Sequence, residues 1–195
     1  MIVMVVGMVV FLGIHSARII PGLRANLVQT FGEMAYKGIY SILSLIGLIF
    51  IWRGYSMARE AGQPLLYYPP LWLTHLTLLL MAIALICFAA AYVPGRIKAA
   101  LKHPMLVSIK IWALAHLLAN GELHSIVLFG GFLAWAVVDR ISVKRRERAG
   151  LAVPFTLPAD TPPANDLIAV VIGATAYVAI LLWLHPILFG VAIVL

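Results

Sequence analysis

Charge is what this sequence has least of. Only 11% of its 195 residues are Asp, Glu, Lys or Arg, against about a quarter in a soluble domain. With 64% hydrophobic residues and a mean hydropathy of +1.05, a soluble fold would lack the polar surface to cover its core. Acidic residues are scarcest. Glu33, Glu60, Glu122, Asp139, Glu147, Asp160 and Asp166 lie in loops or at the edges of apolar runs, which excludes a hydrolase built on paired carboxylates. The single cysteine, Cys87, sits inside an apolar run. It allows no intrachain disulfide and reads as a small hydrophobe. There is no glycine-rich phosphate loop, no nucleophile elbow and no close histidine pair at zinc spacing. The net charge of +7 does not build a nucleic-acid-binding face. The basic residues fall in short loops between apolar runs, the pattern that orients a membrane protein.

What is present is a series of apolar runs. They predict an all-α fold, a polytopic membrane bundle of about six transmembrane helices in one domain, residues 1–195. The expected spans are 1–20, 36–57, 71–93, 105–119, 123–139 and 167–184. The first reads as a transmembrane helix rather than a signal peptide, because no basic residues precede it and no cleavage-like site follows. Pro21-Gly22 and Pro94-Gly95 punctuate the series, and Trp52, Tyr55 and Trp72 mark interfaces. The fourth run is short of the roughly 20 residues a crossing needs. Residues 23–35 read as a polar interfacial connection, and 140–166 as a polar cytoplasmic loop opening on Arg140, Lys144, Arg145, Arg146 and Arg148. With that loop inside, eleven of the fourteen Lys and Arg residues fall on the cytoplasmic side. Arg53 and Arg59 fall outside, and Lys110 lies within a span. Both termini are then expected on the outer, periplasmic face.

Ionisable groups inside such runs are candidate sites by default. The six histidines are His15, His75, His103, His116, His124 and His185. Arg18 follows His15 at i+3, and a histidine with an arginine on its cytoplasmic side suits a haem iron and a propionate. An interfacial histidine bonded to backbone fits the same position. His116 has Trp112 at i−4 and Asn120 at i+4 on its own face, so the Asn120 amide could hold the second imidazole nitrogen. His103 and Lys110 share a face near the cytoplasmic end, with Lys102 beside them, and Lys110 can snorkel or pair with an anion. His75, His124 and His185 fall towards the outer side, where water-facing interface histidines are the simpler reading. Counted at ~1.5 Å per residue from Pro21 and Pro104, His15 lies about 9 Å deep and His116 about 18 Å, an offset of about 9 Å.

These residues carry a resemblance. His15-Ser16-Ala17-Arg18 with Pro21, Leu23 and Arg24 resembles the opening signature of the NnrU family. So do Tyr36-Lys37-Gly38, Trp52-Arg53, Arg96, Lys102-His103-Pro104, and Ala115-His116 with Leu118-Ala119-Asn120-Gly121. Together they span nearly the whole chain. The resemblance implies a small multi-span inner-membrane protein linked to nitric oxide metabolism in denitrifying bacteria. It also implies a distant similarity to zeta-carotene isomerase, which uses b-type haem. On that footing haem b is the expected cofactor and His15 and His116 its metal ligands. Arg18, Arg24 or Lys110 would lie at the propionates. The bilayer and a small apolar or gaseous molecule would be the partners, and the role that of an accessory or redox factor or a haem-dependent, isomerase-like enzyme. Ala113 stands where that isomerase has a cysteine. Lys102-His103-Pro104 is also similar to a motif of membrane methyltransferases and sterol reductases. That implies an alternative, an enzyme with a cytoplasmic cofactor near Lys102, His103 and Lys110. A non-catalytic assembly or transport factor is a third reading.

Overall fold

In the computed structural model, which describes residues 1–191 and 193, apolar runs become helices because only a helix satisfies its own backbone in lipid. The helices are α1 Ile2–His15, α2 Leu23–Phe31, α3 Glu33–Glu60, α4 Leu71–Tyr92, α5 Arg96–Leu101, α6 Pro104–Ala119, α7 Leu123–Arg148, α8 Asn165–Ala179 and α9 His185–Phe189. A π turn, Ile180–Leu184, joins α8 to α9. Among the described residues the only extended pairing is an isolated bridge between Leu65 and Glu122.

The helices α3, α4, α7 and the α8–α9 rod are long and apolar enough to cross a membrane. Ile2–Arg18 is long and apolar enough only together with α2, which turns away from it by 95°, so the two make at most one further span. The sixth apolar helix, α6, has 16 residues, about 24 Å, as the short fourth run implied. The fold is therefore a polytopic all-α membrane bundle.

Two expectations change. Residues 23–35 are not a plain connection. Gly22 and Gly32 take positive φ (75° and 79°), which glycine accepts without strain, and these breaks isolate α2 between α1 and α3. The basic run 140–148 is not loop either, but the end of α7. Lys, Arg and Glu are good helix formers, and Arg145, Arg146 and Arg148 complement the negative end of the helix dipole. At 26 residues, about 39 Å, α7 outruns a hydrocarbon core of about 30 Å. Its last turns stand in water.

The packing order places the histidines. α1 lies along α3, and α7 contacts both. α6 packs between α7 and α4, and α8 covers the far side of α4. Small residues set the α1–α3 distance. Gly47, Ile51, Gly54 and Ala58 form one buried stripe of α3. A Cβ on Gly7 would sit 2.6 Å from the Ile51 nitrogen, and one on Gly54 would run into the backbone of Met4. Between α1, α3, α6 and α7 lies a core of Met4, Met8, Ile51, Ala113, Leu128 and Phe129.

Candidate functional site

α1, α6 and α7 bring His15 and His116 to the two ends of one aromatic column. The His15 ring stacks on Phe11 at 4.1 Å, faces Tyr40 at 5.1 Å and meets the edge of Trp135 at 6.1 Å. His116 stacks on Phe129 at 4.5 Å and lies 5.4 Å from Trp112. Phe132 joins the two ends, 5.8 Å from Phe11 and 5.4 Å from Trp112. The i, i+4 spacings Phe11/His15 and Trp112/His116, and Phe129, Phe132 and Trp135 on one side of α7, signal the column in the sequence, although no single residue there does.

Both imidazoles are held alike. His15 Nδ1 lies 2.7 Å from the Phe11 carbonyl, and His116 Nδ1 lies 2.9 Å from the Trp112 carbonyl. A carbonyl oxygen can only accept, so in each ring Nδ1 carries the proton and Nε2 keeps its lone pair. Among the described residues neither Nε2 has a hydrogen-bond partner. This is the tautomer that a metal-ligating histidine needs.

The two rings stand at different depths. Their contacts on α7, Trp135 and Phe129, are six residues apart, about 9 Å. Measured from the shared level of Phe132, one turn up to each histidine gives about 12 Å. Phe11, Phe132 and Trp112 fill the interval. One iron ligated by both rings needs their Nε2 atoms only about 4 Å apart, so the chain as it stands does not offer them to a single iron.

The remaining candidates do not converge on these rings. Asn120 does not hold the His116 imidazole. Its amide donates to the His116 carbonyl at 2.8 Å, and its own carbonyl accepts from the Tyr67 hydroxyl at 2.9 Å. The short amide reaches the open carbonyl of the helix end before it reaches the ring. Arg18, at the end of the single 3-10 turn Ser16–Arg18, is exposed, and Arg24 lies over the Tyr36 ring at 5.8 Å. Ser16 accepts from the Trp135 indole at 3.1 Å and donates to the Leu12 carbonyl. Lys102 is exposed and takes the one positive φ outside glycine among the described residues. Lys110 is half-buried. His103 is bonded through Nε2 to Glu147 Oε1 at 2.6 Å, and this hydrogen bond holds the Glu147 carboxyl below the usual carboxylate range. A ring committed to a carboxylate is poorly placed to receive an anionic cofactor. His75 is exposed, His124 is buried against Tyr55, and His185 Nδ1 donates to the Val191 carbonyl at 2.8 Å. Among the described residues no group of three or more His, Cys, Asp or Glu converges as a metal site.

The family model described as "NnrU protein" matches residues 3–193. No curated protein and no solved structure matches the chain.

Proposed function

The chain belongs to the NnrU family, and from that premise we propose that this multi-pass protein binds b-type haem in a bacterial inner membrane. His15 and His116 are the two rings able to ligate its iron, each on its own as the chain stands, and its role is that of an accessory or redox factor linked to nitric oxide metabolism. The observation that carries the reading is the shared tautomer. Each ring spends Nδ1–H on the carbonyl one turn back and leaves Nε2 free to ligate. The donors are therefore of the right kind, and the rings around them are apolar and flat, as a porphyrin face requires. The depth offset sets the stoichiometry. With Phe11, Phe132 and Trp112 in place, either His15 or His116 would hold the iron alone, and joint ligation would need those rings to move. When bound, haem supplies an iron that exchanges an electron or takes a small gaseous molecule. The chain's part is to fix the imidazoles, exclude water with the aromatic column, and offer Arg18 at the cytoplasmic end of α1 to a propionate. The basic excess on one side supports a cytoplasmic placement of 18–37, 94–104 and the polar segment 140–166, with the termini in the periplasm.

The absorption spectrum of the detergent-purified protein, oxidised and reduced, tests this. A Soret band is expected. His15→Ala and His116→Ala should each remove or reduce it if each ring binds iron, and one alone should abolish it if a single ring does. A colourless protein from haem-replete cells rejects the reading and leaves a non-catalytic membrane factor. The cytoplasmic-cofactor reading is disfavoured by the His103–Glu147 bond.

A further inference from the structure

α1 packs along α3 and touches α7. Beside the α1–α7 contact runs an open groove of about 310 Å³. Val5, Val9, Leu12, Gly13 and Ser16 of α1 line it, with Val127 of α7 opposite. Val9 is 69% exposed, so the groove faces away from the bundle. Gly13 keeps it open, because a Cβ there would meet nothing within 4 Å. Ser16 brings the one polar side chain of the lining, and its hydroxyl is already committed to the Leu12 carbonyl and the Trp135 indole. The groove therefore accepts an apolar chain and offers it no hydrogen bond. From Val5 to Ser16 it runs about 17 Å, close to half of a hydrocarbon core of about 30 Å. That is the depth of one leaflet.

The Ser16 end leads to cations. Gly131 faces α1, since a Cβ on it would run into the Met8 methyl group. Ser142 donates to the Ile19 carbonyl at 3.4 Å and pins the end of α1 to this part of α7. Between them Ala134, Val138 and Ile141 continue the line of Val127 and are exposed. Arg145 lies about five whole turns beyond Val127 and so on the same line. It is exposed, as is Arg148 one turn further. The ion pairs among the described residues are Lys37–Glu33 and His103–Glu147, so neither guanidinium is neutralised. Arg145 stands about 10 Å past Val138, and its long side chain reaches back to a headgroup layer about 5–8 Å deep.

We propose that the α1–α7 groove binds one anionic phospholipid of the adjoining leaflet, with an acyl chain in the groove and the phosphate at Arg145 and Arg148. A guanidinium matches phosphate oxygens in charge and geometry, and cations just beyond a span favour anionic lipid. A helix of a second copy would fill the apolar part but bring no anion to the two arginines. The site uses neither His15 nor His116, so it stands or falls independently of haem.

Native mass spectrometry of the full chain in detergent, with dioleoyl phosphatidylglycerol or dioleoyl phosphatidylcholine added, tests the site. The two lipids share their acyl chains and differ in headgroup. One retained phosphatidylglycerol per chain is expected, bound at least fivefold more tightly than phosphatidylcholine. Replacing both Arg145→Gln and Arg148→Gln should bring the two lipids level. Gly13→Leu fills the groove with a residue that suits a helix better than glycine, and it should weaken retention of both lipids. Equal retention by the parent chain overturns the proposal. So does a phosphatidylglycerol preference that survives loss of both arginines, or unchanged retention in Gly13→Leu. A dimer that retains no lipid assigns the groove to a second copy instead. The arginine variant changes only exposed positions, so it decides the matter even if Gly13→Leu fails to fold.

Discussion

His103 and Glu147, 44 positions apart, form the one ion pair that ties two helices among the described residues. It lies beyond the apolar part of α7, which ends at Val138. Because His103 holds the Glu147 carboxyl below its usual range, the bond's contribution is full above the ordinary carboxylate pKa. It is lost as pH falls through the depressed one. The melting temperature of the parent chain should therefore fall on the acid side more steeply than that of Glu147→Gln; parallel curves would show that the pair contributes nothing. Thr77 makes a different link, donating to the Ala115 carbonyl at 2.9 Å between α4 and α6, both apolar. Thr77→Val should cost about 1 kcal/mol in detergent unfolding, the usual worth of an interhelical bond in a membrane protein. At this scale the sequence was partly legible. His15 and His116 stood out because a polar ring in an apolar run is conspicuous. The bond of Asn120 to a carbonyl, and that of His103 to a carboxylate 44 residues on, were not. Each depends on which of several partners in reach the fold supplies.

Between elements, the closest approach is α1 on α3. Gly54→Ala places a methyl group in the Met4 backbone, so α1 must shift. The expected loss is about 1–3 kcal/mol, read as a lower unfolding midpoint. Gly38→Ala, where nothing lies within 4 Å, should be neutral or slightly stabilising on the same helix. Equal effects would mean that the glycine stripe does not set the contact. The apolar runs predicted helices because their length and composition leave the backbone no other solution. The helical state of 140–148 was hidden because charge signals topology as strongly as it signals loop. The independence of α2 was hidden in two glycines, whose positive φ is visible only in the backbone.

For the whole molecule, the excess of Lys and Arg on one side makes a testable statement about orientation. Cys87 is buried, so a Cys87→Ala background suits cysteine labelling. A cysteine at Gly150 should be reached only from the cytoplasm, and one at Gly62 only from outside. Reversed labelling would invert the topology. The all-helical character and the order of the apolar runs were legible because each is a local property; which of them cross alone was not, since four helices do so and Ile2–Arg18 qualifies only with α2. The aromatic column was legible only in its spacings on α1, α6 and α7; that these meet is set by the packing of distant segments.

The 95° turn between α1 and α2 has a consequence at this scale. Where α1 runs along the membrane normal, the nine residues of α2 run along one leaflet. They displace lipid there with no counterpart in the other leaflet, an asymmetric wedge of the kind that makes interfacial helices sensitive to membrane shape. The protein should therefore partition preferentially into vesicles whose curvature expands that leaflet. Removing the turn with Gly22→Ala should weaken the preference.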